Sequence, residues 1–146
     1  MNPAEIEIIL VEDNQDDAAL TIRALRAKNL FNNIIHLKNG QEALDYVFNG
    51  AEFNGKKFEL NAKVVLLDLK MPKVNGIEVL EQLKTNPKTK SIPVVVLTSS
   101  AEDPDIKKCY ELGANSYIVK PVGFDNFSKT VVDLGLYWLI MNQTEK

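Results

Sequence analysis

Residues 64–76, VVLLDLKMPKVNG, carry a block of apolar side chains straight into one aspartate, Asp68, and then into a proline and a glycine. The apolar part is short, rich in β-branched and leucine residues, and does not alternate with polar ones. That pattern fits a strand with both faces covered, the setting of a parallel sheet packed between helices. A charge at the tip of such a strand has left the core and stands at the edge of the sheet.

Similar runs recur along the chain: IEIILV at 6–11, NIIHL at 33–37, IPVVVLT at 92–98 and the shorter SYIV at 116–119. Segments with helical spacing separate them. Ala18, Ile22 and Leu25 mark the first helix, Leu44, Val47 and Phe48 the second, and Val79, Leu80 and Leu83 the third. Ile106 and Tyr110 mark a fourth, opening at EDP and stopping at Gly113, and a fifth is expected over about 124–142. Alternating strands and helices are the α/β signature. With no repeat, linker or low-complexity tract, residues 1–146 are expected to form one domain, with no separate effector domain after the fifth helix.

Composition excludes several functions. Lys and Arg number 17 against 20 Asp and Glu, a net charge of -3, so there is no basic footprint for nucleic acid. No apolar run approaches the roughly 18 residues of a membrane span. The N-terminus is acidic where a secretion signal needs a basic start, and the single Cys109 has no internal disulfide partner, which points to the cytoplasm.

Right-handed crossovers bring every strand-to-helix loop to the carboxyl edge of a parallel sheet. Glu12 and Asp13 end the first run there, Asp68 the third, Thr98-Ser99-Ser100 the fourth and Lys120 the fifth. If the first and third strands are neighbours, about 4.8 Å apart, three carboxylates converge. They repel or share protons unless a cation joins them. Hard oxygen donors with open positions suit Mg²⁺, whose shell a phosphate group completes well.

The ordered set ILVEDN, LLDLKMPKVNG, VVVLTSS and GANSYIVKP resembles the receiver domain of two-component response regulators, the CheY-like family, over essentially the whole chain. The resemblance implies a (βα)5 flavodoxin-like, doubly wound fold with five parallel strands in the order 2-1-3-4-5. It implies that Asp68 accepts a phosphoryl group from a sensor histidine kinase, and that the protein catalyses its own phosphorylation and dephosphorylation but is a signalling protein, not a conventional enzyme. Glu12 and Asp13 match the family's acidic pair. Asp13, Asp68 and the backbone carbonyl of Lys70 match the ligands of Mg²⁺, or of Mn²⁺ in its place. Thr98 and Lys120 match the switch hydroxyl and the phosphate-binding lysine, and Tyr117 the switch aromatic. LLDLKMP, IPVVVLTSS, GANSYIVKPV and a late aromatic-tryptophan pair are similar to the single-domain regulators paired with bacterial phytochrome kinases.

Other residues receive plainer readings. Asp16 and Asp17 read as favourable charges at a helix N-terminus, His36 as a satisfied core or edge histidine, and Cys109 as a small packing residue. Lys70 holds a place whose side chain can screen or orient an attacking water. The long connection NGAEFNGKKFELNA at 49–62 belongs to the edge opposite the acids. In the fifth helix, Phe127, Val131, Leu134, Trp138 and Met141 form one apolar stripe, and Val132, Leu136 and Leu139 a second. The second stripe, with Tyr137 and Ile140, is either an oversized core contact or an exposed interface, and the interface, a homodimer contact with Leu136, Tyr137 and Ile140, is the one expected. A flavin mononucleotide binder of the same fold would need a phosphate cradle after the first strand, where VEDNQDD repels phosphate. A phosphatase with an aspartyl nucleophile would want an acid at position 70.

Overall fold

A computed structural model describes residues 7–26, 33–59, 63–71, 74–99 and 102–120 of the chain. In chain order these form β1 (Glu7–Val11), α1 (Gln15–Arg26), β2 (Ile34–Leu37), α2 (Gly40–Phe48), β3 (Lys63–Asp68), α3 (Gly76–Thr85), β4 (Val94–Thr98), α4 (Asp105–Leu112) and β5 (Ser116–Val119). The strands make one parallel sheet in the order β2-β1-β3-β4-β5, the topology expected. The fifth helix, with Leu136, Tyr137 and Ile140, lies outside the described residues.

The continuous apolar runs are explained by two cores. Successive residues of a strand point to opposite faces, so Ile9, Val11, Val65, Leu67, Val94 and Val96 join one cluster. Ile8, Leu10, Val64, Leu66, Val95 and Leu97 join the other. The first cluster takes in Ala43 and Tyr46 of α2, Val79, Leu80 and Leu83 of α3 and Cys109 of α4. The second is closed by Ala18 and Leu25 of α1.

Three local expectations shift. The fourth strand starts at Val94, two residues later than the run suggests, because Pro93 has no N–H to give a ladder. Ile92 donates instead to Thr89 O at 3.0 Å in a turn. The buried face of α2 is Ala43 and Tyr46, with Val47 and Phe48 only partly covered. In α4 the buried residue is Cys109, whereas Tyr110 is 46% exposed. Its stop at Gly113 stands: φ there is 110°, and Gly113 N–H and Ala114 N–H donate to Tyr110 O and Cys109 O, a left-handed cap that glycine tolerates.

The long connection after α2 has its own structure. Phe53 and Lys56 pair across Asn54 and Gly55, both at positive φ. Phe53 and Phe58 meet Tyr46 edge-on at 6.0 and 5.9 Å. Beside them Lys63 Nζ lies 3.1 Å from Glu7 Oε1 and 4.5 Å over the Phe58 ring. Both ions stand at the amino ends of β3 and β1, the edge away from Asp68.

Candidate functional site

At the carboxyl edge the ladders run one step past the strands. Glu12 N–H donates to Leu37 O at 3.1 Å, Leu69 N–H to Leu97 O at 3.4 Å, and Lys120 N–H to Thr98 O at 2.8 Å. These bonds fix the backbone of Glu12, Asp68, Thr98 and Lys120 side by side, a consequence of strand order alone. His36 completes the support: its Nε2, the donor in this contact, lies 2.8 Å from Glu12 O. That satisfies the histidine as expected.

Gly76 lets α3 start beneath this edge. Its N–H donates to Leu69 O at 3.0 Å, and a Cβ at position 76 would collide with the Asp68 carbonyl oxygen and with Leu69 Cα. On the other side Asn14 caps α1, its Oδ1 accepting from Asp17 N–H at 2.9 Å. Glu12 Oε2 accepts from Asn14 N–H at 3.3 Å.

The side chains of Glu12, Asp13 and Asp68 offer carboxylate oxygens that all lie within 4.8 Å of one another. Glu12 is fully buried, Asp68 nearly so, and Asp13 exposed. Lys120 Nζ sits among acids, 2.6 Å from Glu12 Oε1, 3.1 Å from Asp17 Oδ2 and 3.5 Å from Asp68 Oδ1. Together with Thr98, Ser99 and Asp103, these residues line a cleft of about 250 Å³. Among the described residues, 49–59 of the long connection take no part in it.

Electrostatics follow from this crowding. Burial, then a hydrogen bond and the charge of Glu12, push the Asp68 carboxyl up to about 7, against the smaller pull of Lys120 and of Lys70 N–H. Burial alone would lower Lys120, but hydrogen bonding to Glu12, the charge of Asp68 and the bond to Asp17 together hold it above its ordinary value. The ammonium therefore stays charged while the Asp68 carboxylate is short of positive charge. Three hard oxygen donors in that condition fit a divalent cation.

Two members of the site were not singled out from sequence. Asp17, read as a helix-terminus charge, also grips Lys120 across 103 residues of chain. Asp103 accepts from Thr98 Oγ1 at 3.3 Å and lies 3.6 Å from Lys70 Nζ. Its only sequence signal is the acid before a helix start. The Lys70 side chain is 71% exposed and leans to Asp103. Tyr117 is half-buried. It pairs in register with Val96, diagonal to Thr98 on the same face, and its ring meets Tyr110 edge-on at 6.3 Å.

The sequence profile of the response regulator receiver domain matches residues 8–132. Response regulator Rcp1 of Synechocystis is 35% identical over 94% of this chain and 91% of its own length. A probable methanogenesis regulatory protein, FilR2, of Methanothrix harundinacea is 41% identical over 94% of this chain and 86% of its own. Among solved structures, the bacteriophytochrome response regulator RtBRR superposes with a TM-score of 0.77 at 48% identity, covering 89% of this chain and 78% of its own. The Mn²⁺-bound form of Rcp1 does so with a TM-score of 0.69 at 35% identity, covering 92% and 94%.

Proposed function

The chain belongs to the response regulator receiver domain family, and from that premise we propose that Asp68 accepts a phosphoryl group from the phosphohistidine of a sensor histidine kinase. The supporting observation is the convergence of Glu12, Asp13 and Asp68 around one cleft, with Lys120 Nζ 3.5 Å from Asp68 Oδ1. An Asp68 carboxylate oxygen attacks phosphorus, an O–P bond forms as the N–P bond breaks, and the imidazole nitrogen keeps the electron pair. The transferring group passes through a loose, charge-spread transition state, so the site must position it and supply positive charge.

Asp13, Asp68 and the Lys70 backbone carbonyl would hold Mg²⁺, or Mn²⁺, which when bound neutralises phosphoryl charge. Lys120 supplies the second cation, and Glu12 and Asp17 aim it. Thr98 donates its hydroxyl to a phosphoryl oxygen, and Tyr117, diagonal to it, turns toward the space released. Water attack on the acyl phosphate reverses the modification, with the exposed Lys70 near its path. Treatment of the labelled protein with neutral hydroxylamine tests the chemistry: release of phosphate supports an acyl phosphate, and a resistant label contradicts it.

The similarity to bacteriophytochrome response regulators supports a phytochrome-type kinase as the cognate partner, and the cytoplasm as the place where the two meet. The signal leaves through the face of α4, β5 and the fifth helix, where a homodimer forms around Leu136, Tyr137 and Ile140. Exposure of Tyr110 (46%) and Val119 (37%), both apolar, on that side supports the reading. Sedimentation with and without phosphodonor tests it: association strengthened by the donor is expected, and a monomer throughout contradicts it.

A further inference from the structure

We propose that Asp103 is a latch on the switch hydroxyl: it holds Thr98 in the unphosphorylated state while accepting the Asp105 N–H at the start of α4, so a phosphoryl group that wins Thr98 loosens the start of that helix. The inference rests on the reading of Asp68 as phosphoacceptor.

Asp103 divides its two oxygens between the site and the helix. Oδ2 accepts from Thr98 Oγ1 at 3.3 Å and faces Lys70 Nζ at 3.6 Å. Oδ1 accepts from Asp105 N–H at 2.9 Å, and the Asp103 carbonyl accepts from Ile106 N–H at 3.2 Å. The side chain is only 4% exposed, so these partners replace water almost entirely. Its partners are an N–H, a hydroxyl and an ammonium, all of which favour a carboxylate anion.

A threonine hydroxyl has one proton and donates to one acceptor at a time. Thr98 is 2% exposed, and its backbone is fixed to Lys120, so the hydroxyl chooses between acceptors by rotating. Two of the acceptors in question are anionic, Asp103 on one side and an incoming phosphoryl oxygen on the other. At 3.3 Å the existing bond is long for O–H···O, whose usual length is about 2.7–2.8 Å, so the latch is one that a phosphoryl group can open. Loss of Thr98 leaves Asp103 with fewer partners on the site side and changes the carboxylate that orders Asp105. Further along α4, Cys109 is anchored in the core, and Tyr110 meets the ring of Tyr117. One carboxylate thus joins the site around Asp68 to the helix that carries Tyr110, the partner of Tyr117 on β5. A phosphoryl group shifts this equilibrium only by its preference for the released state.

Asp103→Asn keeps an oxygen for Asp105 N–H but removes the charge that favours the Thr98 bond. With beryllofluoride as phosphoryl mimic and saturating Mg²⁺, followed by calorimetry, Asp103→Asn is expected to bind about threefold to tenfold tighter than the parent, since a charge-assisted bond is roughly twice as strong as a neutral one. In a Thr98→Val background the same change is expected to gain less than about twofold, because no hydroxyl remains to release. Amide shifts of Cys109 and Tyr110 in Asp103→Asn are expected to move toward those of the beryllofluoride-bound parent. A gain undiminished in Thr98→Val means that charge removal alone acts, and overturns the latch, as does unchanged or weaker binding of Asp103→Asn. Asp103→Ser, which keeps a capping oxygen, serves if the first variant does not fold, with the same two outcomes. A parent that binds no beryllofluoride overturns the phosphoacceptor reading, and the latch falls with it.

Discussion

Lys120 Nζ lies 2.6 Å from Glu12 Oε1 but 3.5 Å from Asp68 Oδ1, so the cation facing Asp68 is held first by a neighbouring acid. Glu12 is fully buried, with no water to replace that partner. The pair sets the orientation of Lys120 and leaves it within reach of charge that arrives on Asp68.

Removal of the lysine leaves a buried carboxylate without its cation, which costs about 3–5 kcal/mol. Lys120→Met is expected to lose stability of that order in urea unfolding near pH 7.5. Its Mg²⁺ affinity is expected to equal or exceed the parent's, since a competing positive charge has gone. A variant as stable as the parent would show that the pair contributes nothing.

Asp68 binds protons more tightly in the fold, near pH 7, than at its ordinary 3.8. Its contribution to stability is fully present below about pH 4 and is lost as pH rises through 7. In metal-free buffer Asp68→Asn is therefore expected to exceed the parent in stability above pH 7, by about 1–4 kcal/mol at 1.36 kcal/mol per unit, with the advantage fading toward pH 4. Added Mg²⁺ should narrow the gap. Denaturant midpoints across pH that run parallel for the two proteins would contradict the crowding argument.

Gly76→Ala puts a methyl group against the backbone of Asp68 and Leu69, which cannot turn aside as a flexible side chain can. A loss of at least about 2 kcal/mol is expected, together with slower labelling of Asp68. Gly50→Ala makes a control: its surroundings are open and only its positive φ opposes the change, at about 1 kcal/mol. Equal effects at the two positions would remove the claim that Gly76 shapes the site.

Burial pushes the Cys109 thiol up to about 11, with Asp105 and Asp103 adding to it, and the residue is 1% exposed. Thiol labelling near pH 8 is expected to be slow in the native protein and to accelerate with denaturant along the unfolding curve. Fast labelling of the native protein would place Cys109 outside the core.

The sheet was legible because its strands are buried on both faces and read as unbroken apolar runs, while the acids beyond them interrupt those runs at one edge. Asp13, Asp68, Thr98 and Lys120 follow from that edge alone. Strand order then supplied what local sequence lacks, the approach of Lys120 to Glu12. Asp17 and Asp103 were hidden for a different reason. Each has a sufficient local role at a helix start, and its second partner comes from a distant strand or an adjoining loop. The face of α2 was misjudged because Leu44, Val47 and Phe48 are more apolar than Tyr46, yet the Phe53 and Phe58 rings make Tyr46 the buried one.

The central claim is that Asp68 takes the phosphoryl group. Intact mass after incubation with Mg²⁺ and phosphoramidate tests it most directly, on the parent and on Asp68→Asn. One added phosphoryl group on the parent, lost when Mg²⁺ is chelated, and none on Asp68→Asn is the expected result; an Asp68→Asn protein that labels as fully as the parent would contradict it.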